Sequence, residues 1–273
     1  MLSAVGIPST ISSDGADFCL QVDVDATGAA LGHLERYEIE SRPAPAPVSL
    51  PPMRIYPHAW IGCVAYIAVL MSVAFLNSSG LWRLDAFDTG ELDAGRVQSG
   101  QWWRAWTALT LHLDGSHLGA NLAAGVWFGY LAARQIGGGA SWLLIVIGAG
   151  IANLLEALLA PASYHAVGAS TAVFTALGML AAHTWRIRFL VPQRWALRWG
   201  PLIGGVSLLA FTGTGGQGTD VGAHLAGFLV GILFGAVAAL QWAGRIISYV
   251  PQWLMGLVAL ASIAIAWACA LGS

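Results

Sequence analysis

The sequence predicts an all-α polytopic membrane protein, a six-helix core plus one C-terminal transmembrane helix, preceded by a small soluble α/β appendage. Two observations carry this. Hydrophobic residues make up 57% of the 273 and charged ones 10%, with a mean hydropathy of +0.68, far from the balance of a soluble globular domain. From about residue 58 onward, apolar runs follow one another, and crossing a hydrocarbon core takes roughly 20 helical residues. The net charge of −2 is too small to imply a nucleic-acid partner; the lipid bilayer is the expected one.

The elements follow in order. Within residues 1–42, "FCLQVDVDA" alternates like a strand and "ATGAALGHLERYE" has helical periodicity, which predicts a small cytosolic appendage. It loosely resembles ferredoxin-like modules of signal-transducing proteins that carry a "GIP" turn near the start. The proline-rich "SRPAPAPVSLPP" stiffens the chain without forming helix or ladder bonds, giving an extended linker over 43–57. Spans are expected near 58–76, 117–133, 141–160, 168–185, 199–213, 221–242 and 251–271. The first six form a core over 58–242, and 243–273 adds the C-terminal helix. Between the first two spans, "GLWRLDAFDTGELDAGRVQSGQWWRAWTALTLHLDG" is too polar to cross and suits the interfacial zone. The first apolar run starts too late and runs too long for a cleaved signal peptide.

Every basic residue is an arginine. With the N-terminus in the cytoplasm, nine of the twelve fall on inside segments; Arg83, Arg96 and Arg104 fall outside. This asymmetry predicts N-terminus inside, C-terminus outside. Arginine-only basic content with abundant alanine and glycine suggests a high-GC bacterium, hence the bacterial inner membrane. Cys19, Cys63 and Cys269 have no spacing that would hold zinc, so neither disulfides, metal nor cofactor is expected.

In this orientation the second, fourth and sixth spans all start at the outer face, and their first turns share a depth. There the sequence places His117 and Asn121 in "HLGANL", Ser170 in "GAS" and His224 in "GAHLAGFLVG". Polar side chains in a bilayer are costly unless they meet partners or a water-filled cavity, so one shared pocket is expected. Its chemistry suits hydrolysis: a serine hydroxyl becomes nucleophilic when a neutral imidazole accepts its proton, which pairs Ser170 with His224. The tetrahedral oxyanion then needs aimed donors, and His117, Asn121 and the backbone N–H groups at the start of the fourth helix, including that of Ser170, are candidates. Gly168 permits a tight approach to Ser170, and Gly178, Gly227 and Gly231 let helices meet closely. Asp220, just before the sixth span, reads as an N-cap in preference to a third triad member. His112 and Arg104 are expected to hold the first loop, Glu156 to partner loop groups near the outer face, and His165 to be a loop residue.

These motifs, in this order on alternate spans, resemble those of rhomboid intramembrane serine proteases over roughly residues 58–242, and "WWRAWTALTLHLD" is similar to the family's first-loop region. The resemblance implies a rhomboid-like fold with Ser170 as nucleophile, His224 as general base, and His117, Asn121 and the Ser170 amide around the oxyanion. It also implies that Phe174 packs against the His224 ring. The substrates would be transmembrane proteins cut near their outer ends. Thr171 stands where the family usually has glycine. The alternative reading is a catalytically weak or inactive rhomboid-like protein that binds transmembrane clients. A channel or transporter is disfavoured, because no charged chain continues from the polar layer toward the inner side.

Overall fold

The computed structural model describes residues 2–15, 17–41, 55–79, 85–190, 194–213 and 220–272. The chain divides into two units, Met1–Ser49 and Leu50–Ser273. In the first, strands β1 (Ser9–Asp14) and β2 (Asp17–Val22) form an antiparallel hairpin in which Ile11 faces Leu20, followed by helix α1 (Thr27–Ser41). The core is small: Leu2, Ile7 and Ala30 are buried, with Val22 and Ala26 against them. The strand ends at Val22, short of the expected alternation through "DVDA", because residues 24–26 turn into a 3-10 helix that leads into α1. Among the described residues one hairpin and one helix are present, fewer elements than a ferredoxin-like module requires. Most of the linker expected over 43–57 lies outside the described residues.

The second unit is helical: α2 (Trp60–Ser78), α3 (Ala86–Gly90), α4 (Ala94–Gln98), α5 (Arg104–Thr107), α6 (Gly115–Ile136), α7 (Gly138–Leu159), α8 (Ser170–Phe189), α9 (Trp195–Gly213), α10 (Val221–Ala238), α11 (Gln241–Tyr249) and α12 (Gln252–Leu271). Two short strands, β3 (Leu92–Asp93) and β4 (His165–Ala166), pair antiparallel. The long helices α2, α6 to α10 and α12 occupy the seven expected spans. Four of them, α2, α7, α10 and α12, are long and apolar enough to cross a membrane; α6 and α8 carry the polar side chains of interest. The sixth span stops at Ala238 instead of 242, because Leu240 is extended and the amphipathic α11 begins at Gln241.

Helix α8 is the central post, packed by α6, α7, α9 and α10. It is buried nearly all round from Thr171 to His183, as a helix without a polar face must be. Its closest neighbour is α10, and glycines set the distance. A Cβ at Gly231 would lie 2.2 Å from the Thr175 carbonyl oxygen, and one at Gly178 2.2 Å from that of Phe228, so the two backbones touch where only hydrogen fits.

The segment between α2 and α6 folds into short helices pinned by buried polar groups. Arg104, 2% exposed, donates to the carbonyls of Glu91 (3.0 Å) and Asp88 (2.8 Å) and to Gln101 Oε1 (2.6 Å), the loop-holding part expected of it. Asn153 of α7 donates to the Ala105 carbonyl (2.9 Å), and Trp267 of α12 donates through Nε1 to Thr110 Oγ1 (3.1 Å). Aspartates cap two of the helices that start at this end of the bundle, α6 and α10: Asp114 accepts from the His117 N–H (2.8 Å) and Asp220 from the Ala223 N–H (3.0 Å). Anionic caps suit helix N-termini, where the orphan N–H groups gather.

Candidate active site

Ser170 is the first residue of α8, half-buried. The chain reaches it through Gly168, whose φ of +133° is a conformation that side-chain-bearing residues rarely adopt. Gly168 also leaves space: a Cβ there would sit 2.8 Å from His117 Cε1 and Nε2 and 3.8 Å from Ser170 Oγ. The serine hydroxyl and the His117 ring therefore both border the space beside this bare α-carbon. Two loop contacts fix this approach. The Gly168 N–H donates to the Ala108 carbonyl (2.9 Å), and the Ala169 N–H to His112 Nε2 (3.3 Å). Burial, and then the neighbouring His117, push His112 down to about 4, so its imidazole is neutral near pH 7 and its Nε2 can accept. His112 and His117 meet edge to face at 5.1 Å.

Asn121, one turn deeper on α6 and 6% exposed, donates one amide hydrogen to the His117 carbonyl (3.1 Å). Its Nδ2 carries a second. The Asn121 carbonyl accepts from the Tyr66 hydroxyl of α2 (2.9 Å), which fastens α2 to α6 at this depth. His117 and Asn121 share a face of α6, as their spacing requires.

His224 lies in the first turn of α10, 7% exposed. Its N–H donates to the Asp220 carbonyl (3.2 Å), and its ring lies 4.4 Å from that of Phe174, one turn below Ser170. Thr171, 3% exposed, turns its methyl toward Gly227, where a Cβ would sit 3.1 Å from it and 2.6 Å from the Thr171 carbonyl oxygen. Gly227 thus accommodates the Thr171 side chain, and α8 and α10 keep their backbone contact. Ser170 and His224 occupy the first turns of these two touching helices.

Two further contacts escaped the sequence reading, and a third shows where Glu156 reaches. The Tyr164 hydroxyl donates to the Asp220 carboxylate. Burial and then that bond push its pKa well above the usual phenol value, so Tyr164 stays a donor and ties the stretch ahead of Ser170 to the cap of the His224 helix. Glu156 of α7 reaches the start of α10, its Oε1 2.3 Å from where a Gly222 Cβ would be. His165 is a strand residue, directly opposite Asp93, with Nδ1 2.9 Å from Glu91 Oε1. Glu91, Asp93 and His165 hold ligand-type atoms within 4.8 Å of one another, but Asp93 is already paired with Arg96 (3.2 Å).

Residues 99–241, more than half of the chain, match the family model of the Rhomboid domain. The chain belongs to the rhomboid family. The matched range contains His117, Asn121, Ser170 and His224. Together with its apolar helices, this makes the chain a multi-pass membrane protein. It is 32% identical over 120 residues to the rhomboid protease GluP of Bacillus subtilis (strain 168), a match covering 42% of this chain and 23% of that protein. It is also 32% identical over 136 residues to YdcA of the same organism, named provisionally as a rhomboid protease, covering 46% of this chain and 62% of that one. The chain thus spans less than two thirds of either relative.

Proposed function

We propose that this rhomboid-family chain is an intramembrane serine endopeptidase that cuts transmembrane proteins. The observation that carries the reading is the convergence of the Ser170 hydroxyl and the His117 ring beside Gly168, on a helix whose next turn packs against His224. The family match and the protease names of its relatives support it.

In this reading His224 accepts the Ser170 proton as Oγ attacks the scissile carbonyl carbon. The carbonyl oxygen becomes an oxyanion, received by the Ser170 N–H, the spare Asn121 N–H and the His117 ring. The protonated His224 then gives its proton to the leaving amine, and the C–N bond breaks to leave an acyl-enzyme. Water, losing a proton to His224, hydrolyses the ester and restores Ser170. A substrate helix hides its carbonyls in intrahelical bonds, so cleavage favours segments that unwind readily. With Arg134 of α6, Arg186 and Arg188 of α8 and Arg245 of α11 toward the cytoplasm, Ser170 lies toward the outer face, and cleavage falls near the outer ends of substrates.

The test is covalent labelling of the detergent-purified chain by a fluorescent fluorophosphonate. Wild type is expected to label, and Ser170→Ala and His224→Ala to stay dark while remaining folded. Labelling that survives Ser170→Ala removes the nucleophile assignment. A folded wild type that never labels favours client binding without cleavage.

A further inference from the structure

The charges of the membrane unit are segregated. All seven acidic residues after position 55, from Asp85 to Asp220, belong to the Ser170 end. The opposite end carries Arg134, Arg186, Arg188, Arg194, Arg198 and Arg245 and no acid of its own. At that end lies a cavity of about 490 Å³, lined among others by Gln135 of α6, His183 of α8, and Gln241, Arg245 and Ser248 of α11.

The polar groups on its walls are the Arg245 guanidinium, the Tyr56 and Ser248 hydroxyls, the Gln135 and Gln241 amides and the buried His183 ring, with no carboxylate among them. Such a donor set matches an anion with several acceptor oxygens, and a phosphate diester has that chemistry.

Helix α11 indicates the source of the phosphate. Trp242, Ile246 and Tyr249 are exposed and follow the i, i+4, i+7 spacing of one helix face. A short amphipathic helix with exposed Trp and Tyr lies in the plane of the lipid headgroups, which puts Arg245 and the cavity at phosphate depth. We propose that this cavity binds the phosphate headgroup of an anionic phospholipid, with Arg245 as its main donor. Basic pockets between transmembrane helices are suited to such headgroups.

The test is native mass spectrometry of the purified full chain with phosphatidylglycerol or phosphatidylcholine of matched acyl chains. Wild type is expected to retain phosphatidylglycerol preferentially. Arg245 is exposed, so Arg245→Gln leaves the fold intact and should weaken phosphatidylglycerol binding about fivefold. Phosphatidylcholine should be indifferent to the substitution. Arg198→Gln, at the same end but outside the cavity, should change nothing. Equal retention of the two lipids by wild type overturns the proposal, as does an equal loss in Arg198→Gln, which would mean diffuse charge attraction. Displacement of the lipid by millimolar inorganic phosphate would assign the cavity to a soluble anion instead. The readout is lipid retention, so it stands apart from the protease reading.

Discussion

Helices α8 and α9 are neighbours of nearly equal length, and the bundle treats them in opposite ways. Helix α8 is buried from Thr171 to His183, and its carbonyls sit on the glycines of α10. Along α9, Ile203, Val206, Leu208 and Phe211 are all exposed, and among the residues whose burial is described only Gly205 is buried. The helix that bears Ser170 is therefore a seat fixed by close packing, while α9 leans on the bundle with most of its surface left to lipid. In the proposed mechanism Ser170 needs placement to a fraction of an ångström, which the close-packed seam can supply; α9 is under no such demand.

The sharpest way to break this contrast is one substitution made on each helix pair. Gly231→Ala puts a methyl 2.2 Å from the Thr175 carbonyl and is expected to cost about 1–3 kcal/mol by overpacking, read as a lower melting temperature in detergent and lost labelling of Ser170. Gly204→Ala on α9 meets nothing within 4 Å and should be neutral or slightly stabilising through helix propensity. Equal effects would abolish the distinction.

Acid should loosen the seat before it affects α9. His112 takes its proton near 4 in the fold and near 6.5 in an unfolded chain. Between those values the unfolded state binds more protons, so the stability contributed by neutral His112 is full above about 6.5 and is lost as pH falls toward 4. Melting temperature followed from pH 7 to 4.5 is expected to fall less steeply in His112→Asn, whose amide oxygen can still accept from Ala169. A smaller effect is expected of Thr171→Gly. Removing a buried methyl and hydroxyl from the Gly227 contact, and adding a helix glycine, should cost about 1 kcal/mol. Unchanged stability would show that Thr171 contributes no packing there.

How much of this was legible in the sequence depended on distance along the chain. His117 and Asn121, Ser170 and Phe174, and Asp220 and His224 each belong to one helical stretch, and the 3.6-residue repeat together with a shared depth is enough to group them. The Tyr66 hydroxyl on the Asn121 carbonyl, 55 residues away, follows from no repeat, and neither does the bond from Ala169 to His112, 57 residues away. Strands β3 and β4 have two residues each, too few for an alternation to register, so His165 read as loop. Strand β1, "STISSD", has Ile11 as its one apolar residue and gives no periodic signal. Cavities leave no trace in sequence at all, so His183 was passed over as one residue of a span.

Helix α12 has a consequence in time. Its Trp267 donates to Thr110 and fills the space over Gly90, where a Cβ would lie 2.6 Å from the indole ring. A ribosome finishes α8 and α10 well before it reaches that tryptophan. During synthesis the chain therefore carries Ser170 and His224 into the bilayer while α3 and α5 still lack their floor. The loop that supplies His112 and the Ala108 carbonyl acquires its full support only when α12 inserts, so a nascent chain matures its Ser170 end last.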